Sequence, residues 1–159
     1  MKILIKSRKQ IEALSKAPFS AKTMLISITD ANDRPVELAN KPEYLIRVAF
    51  DDVDNDVIED EVGKNATAEE KALIEQKYNM ITCDQARGIA EIYYAHKDEI
   101  RTLICQCEHG QSRSAAVAAA IMEFRSRRGI EIFSHDHYYP NKVVFRRVLE
   151  ALKDQNPVY

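Results

Sequence analysis

Four short apolar runs have the length and residue types of β-strands. They cover residues 2–6, 23–28, 44–50 and 102–105, and each is rich in β-branched and aliphatic side chains. None is long enough for a helix, and turn-forming residues at 30–35 close the second run. The pattern therefore predicts four strands.

Longer stretches between and after these runs carry apolar residues at helical spacing. Ser7 can cap a short helix after the first strand, and Thr82 can start a helix over residues 82–96. Residues 113–128 are rich in alanine and strongly favour a helix. A last helix is predicted over about residues 141–153. Its apolar face is expected to comprise Val144, Val148, Leu149 and Leu152.

An acidic stretch interrupts this alternation. Seven of the eleven residues from 51 to 61 are acidic, a composition that does not pack a core. We therefore predict a solvated loop there, leading into a helix capped near Thr67. Strands alternating with helices predict an α/β fold, and 159 residues suit a single domain over residues 1–159.

Composition narrows the classes of function. Apolar residues make up 45% of the chain and charged residues 30%, which excludes the disordered class. The longest apolar run, residues 115–122, is far shorter than the ~18 residues of a membrane span. With 23 basic and 25 acidic residues the chain has no basic footprint for nucleic acid. We expect a soluble cytoplasmic protein with no nucleic-acid or membrane partner, and the oligomeric state stays open.

The most informative stretch lies between the fourth strand and the Ala-rich helix, at residues 107–114. A loop that enters a helix points free backbone N–H groups inward, and the helix dipole adds about half a positive charge there. Gly110 gives the loop a position without a Cβ, and Arg113 can offer a planar fork of donors to a phosphate. The same field favours the thiolate form of Cys107. This combination predicts nucleophilic attack by sulfur on phosphorus.

The arrangement of Cys107, five residues, Arg113 and Ser114, with Gly110 between them, resembles the signature loop of cysteine-dependent protein tyrosine phosphatases. The dual-specificity branch is the most similar, and the order of the first elements resembles compact bacterial or phage members. Residues 45–52 resemble the strand before that family's acid loop, and Pro140-Asn141 resembles the pair that opens its last helix. The resemblance implies an α/β fold with a central, mostly parallel sheet flanked by helices. The signature loop would join a strand to a helix N-terminus.

The resemblance also implies a role for each residue of the loop. Cys107 forms a phosphocysteine intermediate, Arg113 holds the phosphate oxygens, and the Ser114 hydroxyl assists departure of the sulfur. The backbone cradle around the phosphate would be made by Glu108, His109, Gly110, Gln111, Ser112 and Arg113. The family has histidine before the nucleophile, whereas this chain has Gln106, which predicts slower turnover or a higher pH optimum. No cofactor and no metal are implied.

Departure of an alcohol or phenol requires a general acid. Alignment with the family's acid loop places Asp52 at that position and makes Asp51 the first alternative. Asp54, Asp56 or no acid at all remain open. The carboxylates next to Asp52 would favour its protonated form, as an acid requires. The separation of Asp52 from Cys107 is longer than is usual in the family, because the acidic loop and the helix after Thr67 resemble an insertion.

Other reactive side chains have simpler interpretations. His109 is expected to point away from a bound phosphate, and His135 with His137 is too small a set for a zinc site. Cys105 is expected to pack in the core. The sequence thus predicts a protein tyrosine or dual-specificity phosphatase acting on a phosphorylated protein or a small phosphomonoester. Glu108 beside the nucleophile disfavours polyphosphorylated substrates. The alternatives are a phosphate-binding pseudophosphatase and a sulfurtransferase of rhodanese type.

Overall fold

The computed structural model describes residues 1–156, and across them four parallel strands form one sheet in the order β1-β4-β2-β3. The strands are β1 (Lys2–Ser7), β2 (Thr23–Thr29), β3 (Tyr44–Ala49) and β4 (Thr102–Cys107). The two central strands, β4 and β2, are the most buried, as expected for strands covered on both faces. The parallel sheet and the predicted strand positions are confirmed.

Seven helices lie within the described residues. They are α1 (Arg8–Leu14), α2 (Asn55–Val62), α3 (Ala68–Lys77), α4 (Cys83–His96), α5 (Arg113–Ser126), α6 (Ile130–Phe133) and α7 (Lys142–Asp154). Ser7, Thr67 and Thr82 start α1, α3 and α4, and each forms a reciprocal capping box with the Gln or Glu three positions later. The predicted starts of these helices are therefore confirmed. No helix within residues 1–156 is long and apolar enough to cross a lipid bilayer.

The loop predicted over residues 51–61 is wrong, because most of that stretch is helix α2. Asp54 caps this helix through the backbone N–H of Asn55, and Ile58 is buried in the main core. The acidic side chains lie on the exposed side of the helix, where water solvates them. A short helix therefore forms despite the charge, with a single apolar edge facing inward.

Two apolar cores lie on opposite faces of the sheet. The larger contains side chains of α4, α5 and α7 together with alternate residues of β2 and β4, such as Ile26 and Cys105. The smaller lies under α1 and contains Ile11, Leu25 and Ile104. Helix α5 is buried along its first nine residues, so the loop before it is held against the carboxyl ends of the strands. That edge of the sheet carries the candidate site.

Candidate active site

Cys107 ends β4 and faces the start of α5. Its Sγ atom lies 3.0 Å from the hydroxyl oxygen of Ser114, and both residues are buried. A hydroxyl at this distance can donate a hydrogen bond to the sulfur and so make it a better leaving group. The strand and the helix thus bring together two residues that the loop separates.

Arg113, the first residue of α5, is a buried cation at the same loop. Its Nη1 donates a 2.7 Å hydrogen bond to the carbonyl of Phe50, and its Nη2 lies 2.6 Å from Oδ1 of Asp30. Its Nε is buried and has no hydrogen-bond partner within residues 1–156. A buried charged donor without a partner is costly, so this atom is suited to an anion bound in the loop.

Asp52 approaches the loop from the end of β3. Its Oδ1 accepts a 2.8 Å hydrogen bond from the Ser112 hydroxyl and a 3.0 Å bond from the side-chain amide of Asn141. The described residues offer no donor to the other oxygen, Oδ2. Asn141 also caps α7 by accepting from Val144 N–H, so the last helix anchors the acidic loop.

The other aspartates considered, Asp51, Asp54 and Asp56, make their hydrogen bonds away from the loop before α5. Asp51 accepts hydrogen bonds from the backbone N–H of Ala31 and from the side chain of Asn79. Asp54 caps α2 and accepts from Lys142 N–H, while Asp56 accepts only from the N–H of the next residue. Of the four aspartates considered, Asp52 is the one that contacts the loop before α5.

Gly110 has a geometry that other residues rarely adopt. Its φ is +70°, and a Cβ there would lie 2.7 Å from backbone atoms of Lys6 and Ser7. The loop is therefore packed directly on the end of β1, which leaves space for glycine alone.

The other loop side chains make contacts outside the cradle. Glu108 forms a 2.7 Å ion pair with Arg8, and this hydrogen-bonded carboxylate raises the pKa of the Arg8 guanidinium. The carbonyl of Gln111 accepts from Tyr139 N–H, and His109 is exposed. Because Arg8 offsets the charge of Glu108, this carboxylate disfavours polyphosphorylated substrates less than the sequence indicated.

No protein-family model matches this sequence, and no curated protein matches it. The crystal structure of human DUSP28 superposes with a TM-score of 0.52 at 12% identity, covering 99% of this chain and 95% of that chain. A variant of human DUSP28 gives 0.50 at 14% identity, covering 99% and 93%. PTPMT1 is more distant, with a TM-score of 0.44 at 11% identity, covering 99% and 93%. The chain has the dual-specificity phosphatase fold. It thus resembles the cysteine-dependent phosphatase superfamily in architecture.

Sequence reasoning missed two polar residues of this phosphatase-like site, Asp30 and Ser27. Asp30 lies beside Arg113, and Ser27 and Gln106 form a buried hydrogen bond beneath the loop. Asp30 and Ser27 belong to β2 or its end, far from the loop in sequence. Only the sheet order, which places β2 next to β4, could have indicated them.

The remaining candidates lie outside the site. Cys105 is fully buried in the larger core, as predicted, and burial raises the pKa of its thiol far above the ordinary value. His135 and His137 are exposed in the segment before α7. Within the part of the chain that the structure describes, no three His, Cys, Asp or Glu side chains cluster as metal ligands would.

Proposed function

We propose that this protein is a phosphomonoester hydrolase acting through a phosphocysteine intermediate, as a protein tyrosine or dual-specificity phosphatase. One observation carries the proposal: the Cys107 thiol and the unpartnered Nε of buried Arg113 belong to one loop at the start of α5. A nucleophile and a cationic donor at a helix N-terminus suit a phosphate dianion. The backbone N–H groups of residues 108–113 complete the cradle.

In the first step the Cys107 thiolate attacks phosphorus, and a sulfur–phosphorus bond forms. The bond from phosphorus to the leaving oxygen breaks and leaves its electron pair on that oxygen. Asp52, protonated at Oδ2, gives its proton to this oxygen. Ser112 and Asn141 hold Oδ1, which leaves Oδ2 free for that task.

In the second step water attacks the phosphocysteine. The Asp52 carboxylate accepts a proton from the water, the sulfur–phosphorus bond breaks, and the electron pair returns to Cys107. Ser114 donates a hydrogen bond to the departing thiolate. Arg113 stabilises the charge on the phosphoryl oxygens in both steps, because its guanidinium is already fixed by Phe50 and Asp30.

The proposed substrates are phosphorylated proteins or small phosphomonoesters, with aryl phosphates such as phosphotyrosine preferred. The support is Tyr139, whose side chain is 71% exposed and whose N–H donates to Gln111 in the loop. An exposed tyrosine whose backbone contacts the loop can offer its ring for stacking on the ring of an aryl phosphate.

The test is hydrolysis of an aryl phosphate across a pH series, with and without a chelator. We expect turnover that the chelator does not change and that Cys107→Ser abolishes while phosphate still binds. Phosphate binding without turnover would favour the pseudophosphatase alternative, and sulfur transfer from thiosulfate would favour the rhodanese alternative.

A further inference from the structure

Beneath the candidate site, two buried polar side chains join the central strands. Ser27 of β2 and Gln106 of β4 are register partners, and both are almost fully buried. Leu25 and Ile104, two positions earlier on the same strands, belong to the core under α1. Because side chains alternate along a strand, Ser27 and Gln106 face the α1 side, away from Cys107.

The pair forms a hydrogen-bonded chain that ends at the nucleophile's own backbone. Ser27 Oγ lies 2.6 Å from Oε1 of Gln106, and Gln106 Nε2 donates a 2.9 Å hydrogen bond to the carbonyl of Cys107. A carbonyl only accepts, so the amide nitrogen must face Cys107 and the amide oxygen must face Ser27. The Cys107 carbonyl thus sets the direction of the Gln106 amide, and the Ser27 hydroxyl donates to the oxygen at the other end of that amide.

We propose that Ser27 is a positioning residue for the phosphate cradle, acting through Gln106. In a trans peptide the C=O and the following N–H point in opposite directions. Holding the Cys107 carbonyl toward the α1 side turns the Glu108 N–H toward the sulfur and the anion. The inference rests on the proposed function, because it takes the bound anion to be the phosphate group of a substrate.

Gln106, the residue before the nucleophile, can thus still orient the carbonyl of Cys107, although the resembled family has histidine at this position. The amide of Gln106 has no preferred direction by itself, since its two ends have nearly the same shape. The Cys107 carbonyl supplies that direction, and Ser27 holds the oxygen end of the amide from the neighbouring strand. Without the hydroxyl, Oε1 is left buried without a partner, and the amide is anchored by its bond to the Cys107 carbonyl alone.

The experiment compares Ser27→Ala with wild type, both carrying Cys83→Ser to remove the exposed thiol. Three quantities are measured: kcat/KM on an aryl phosphate, the inhibition constant of inorganic phosphate, and the rate of Cys107 alkylation by iodoacetamide. We expect kcat/KM to fall about five- to tenfold, with weaker phosphate inhibition and slower alkylation, as for one lost hydrogen bond. Ser27→Thr, which keeps the hydroxyl, should restore all three.

Two further variants separate positioning from stability. Ser15 is a buried serine on α1 that makes two hydrogen bonds away from the site, so Ser15→Ala should lower the melting temperature without changing the kinetics. The double variant Ser27→Ala with Gln106→Met removes Oε1 together with its donor, so it avoids the unsatisfied buried oxygen of Ser27→Ala and loses the side-chain donor to the Cys107 carbonyl. It should still show the kinetic defect, because nothing donates to the Cys107 carbonyl.

Wild-type kinetics in the folded double variant, or in Ser27→Ala, would overturn the proposal. If wild type itself hydrolyses no aryl phosphate, the proposed function fails. The alkylation rate, which needs no turnover, would still decide the role of Ser27: a wild-type rate in Ser27→Ala overturns it, and a slower one supports it.

Discussion

Asp52 and Ser112, 60 residues apart in sequence, are joined by a 2.8 Å hydrogen bond between the Ser112 hydroxyl and Oδ1 of the carboxyl group. The bond connects the end of β3 to the residue just before α5. The proposed acid therefore lies next to the proposed phosphate cradle. The side-chain amide of Asn141 donates a second hydrogen bond to the same oxygen.

The acid role predicts an effect that depends on the leaving group. Asp52→Asn should reduce kcat by roughly 10²–10⁴ for an alkyl or unsubstituted phenyl phosphate, because the leaving oxygen receives no proton. The loss should be much smaller for a nitrophenyl phosphate, whose phenolate departs unaided. The measurement is kcat over a series of leaving groups.

Asp51→Asn is the matched control for that series. Asp51 receives its hydrogen bonds from Ala31 and Asn79 and makes no contact with the loop, so we expect near wild-type kcat. If Asp51→Asn gives the leaving-group dependence and Asp52→Asn does not, the acid is one residue earlier. If neither does, the acid lies elsewhere.

The guanidinium geometry predicts that charge alone cannot replace Arg113. Arg113→Lys keeps a cation but loses the planar fork, and its ammonium cannot bond the Phe50 carbonyl and face Asp30 while also holding phosphate. We expect kcat/KM on an aryl phosphate to fall by at least about 10²-fold, with weaker phosphate inhibition. Near-normal kinetics for this variant would contradict the assignment.

The close packing of Gly110 predicts that a single methyl group displaces the loop. Gly110→Ala combines a left-handed φ with a clash against the Lys6–Ser7 backbone, so we expect loss of activity and a lower melting temperature. Gly63→Ala is the control, since Gly63 has φ +80° but no atom within 4 Å of the added Cβ. Gly63→Ala should cost about 1–3 kcal/mol of stability, because ψ there is 168°, and leave kcat unchanged. Equal activity in Gly110→Ala and Gly63→Ala would contradict this prediction, because the added methyl group would then fit without displacing the loop.

The fold was largely predictable because its signals are local. Capping boxes at Ser7, Thr67 and Thr82 determine helix starts from residues three positions apart, and the strands are short apolar runs. Helix α2 was missed because the prediction followed the many acidic residues of this stretch and not its one buried apolar residue, Ile58. Helix α6 was missed because four residues are too few to show the helical spacing of apolar positions.

From the residues alone the candidate site was predictable only where its members share one segment, and Asp52 was proposed through the resemblance to the family's acid loop. Cys107, Arg113 and Ser114 lie within eight positions, and a loop before a helix brings them together. The pairing of Arg113 with Asp30 depends instead on which strand lies beside which. Hydrophobic pattern gives the strands but not their order, so such long-range polar pairs need the structure.

The buried thiol of Cys105 predicts an alkaline loss of stability. Burial raises the pKa of Cys105 in the folded protein, whereas the unfolded thiol ionises at its ordinary value of about 8.5. The folded state binds the proton more tightly, so its stability is fully present below that pH and is lost as pH rises above it. Thermal unfolding at pH 7 and pH 10 measures the effect.

We expect Cys105→Ala to show a smaller drop in melting temperature between these two pH values than wild type. Cys83→Ala removes an exposed thiol and should keep the wild-type drop. Parallel behaviour of Cys105→Ala and wild type would show that another group, such as the buried Tyr93, whose pKa is raised by burial, dominates the alkaline limb.

The phosphocysteine intermediate is the central claim, and trapping it is the most direct test. Enzyme mixed rapidly with an aryl phosphate and quenched in acid should carry one phosphoryl group in the fragment that contains Cys107. The label should be absent in Cys107→Ser and should disappear on a longer incubation of wild type, as water completes the second step. Turnover with no label on Cys107, or with the phosphoryl group on His109 or Cys105, would contradict the account.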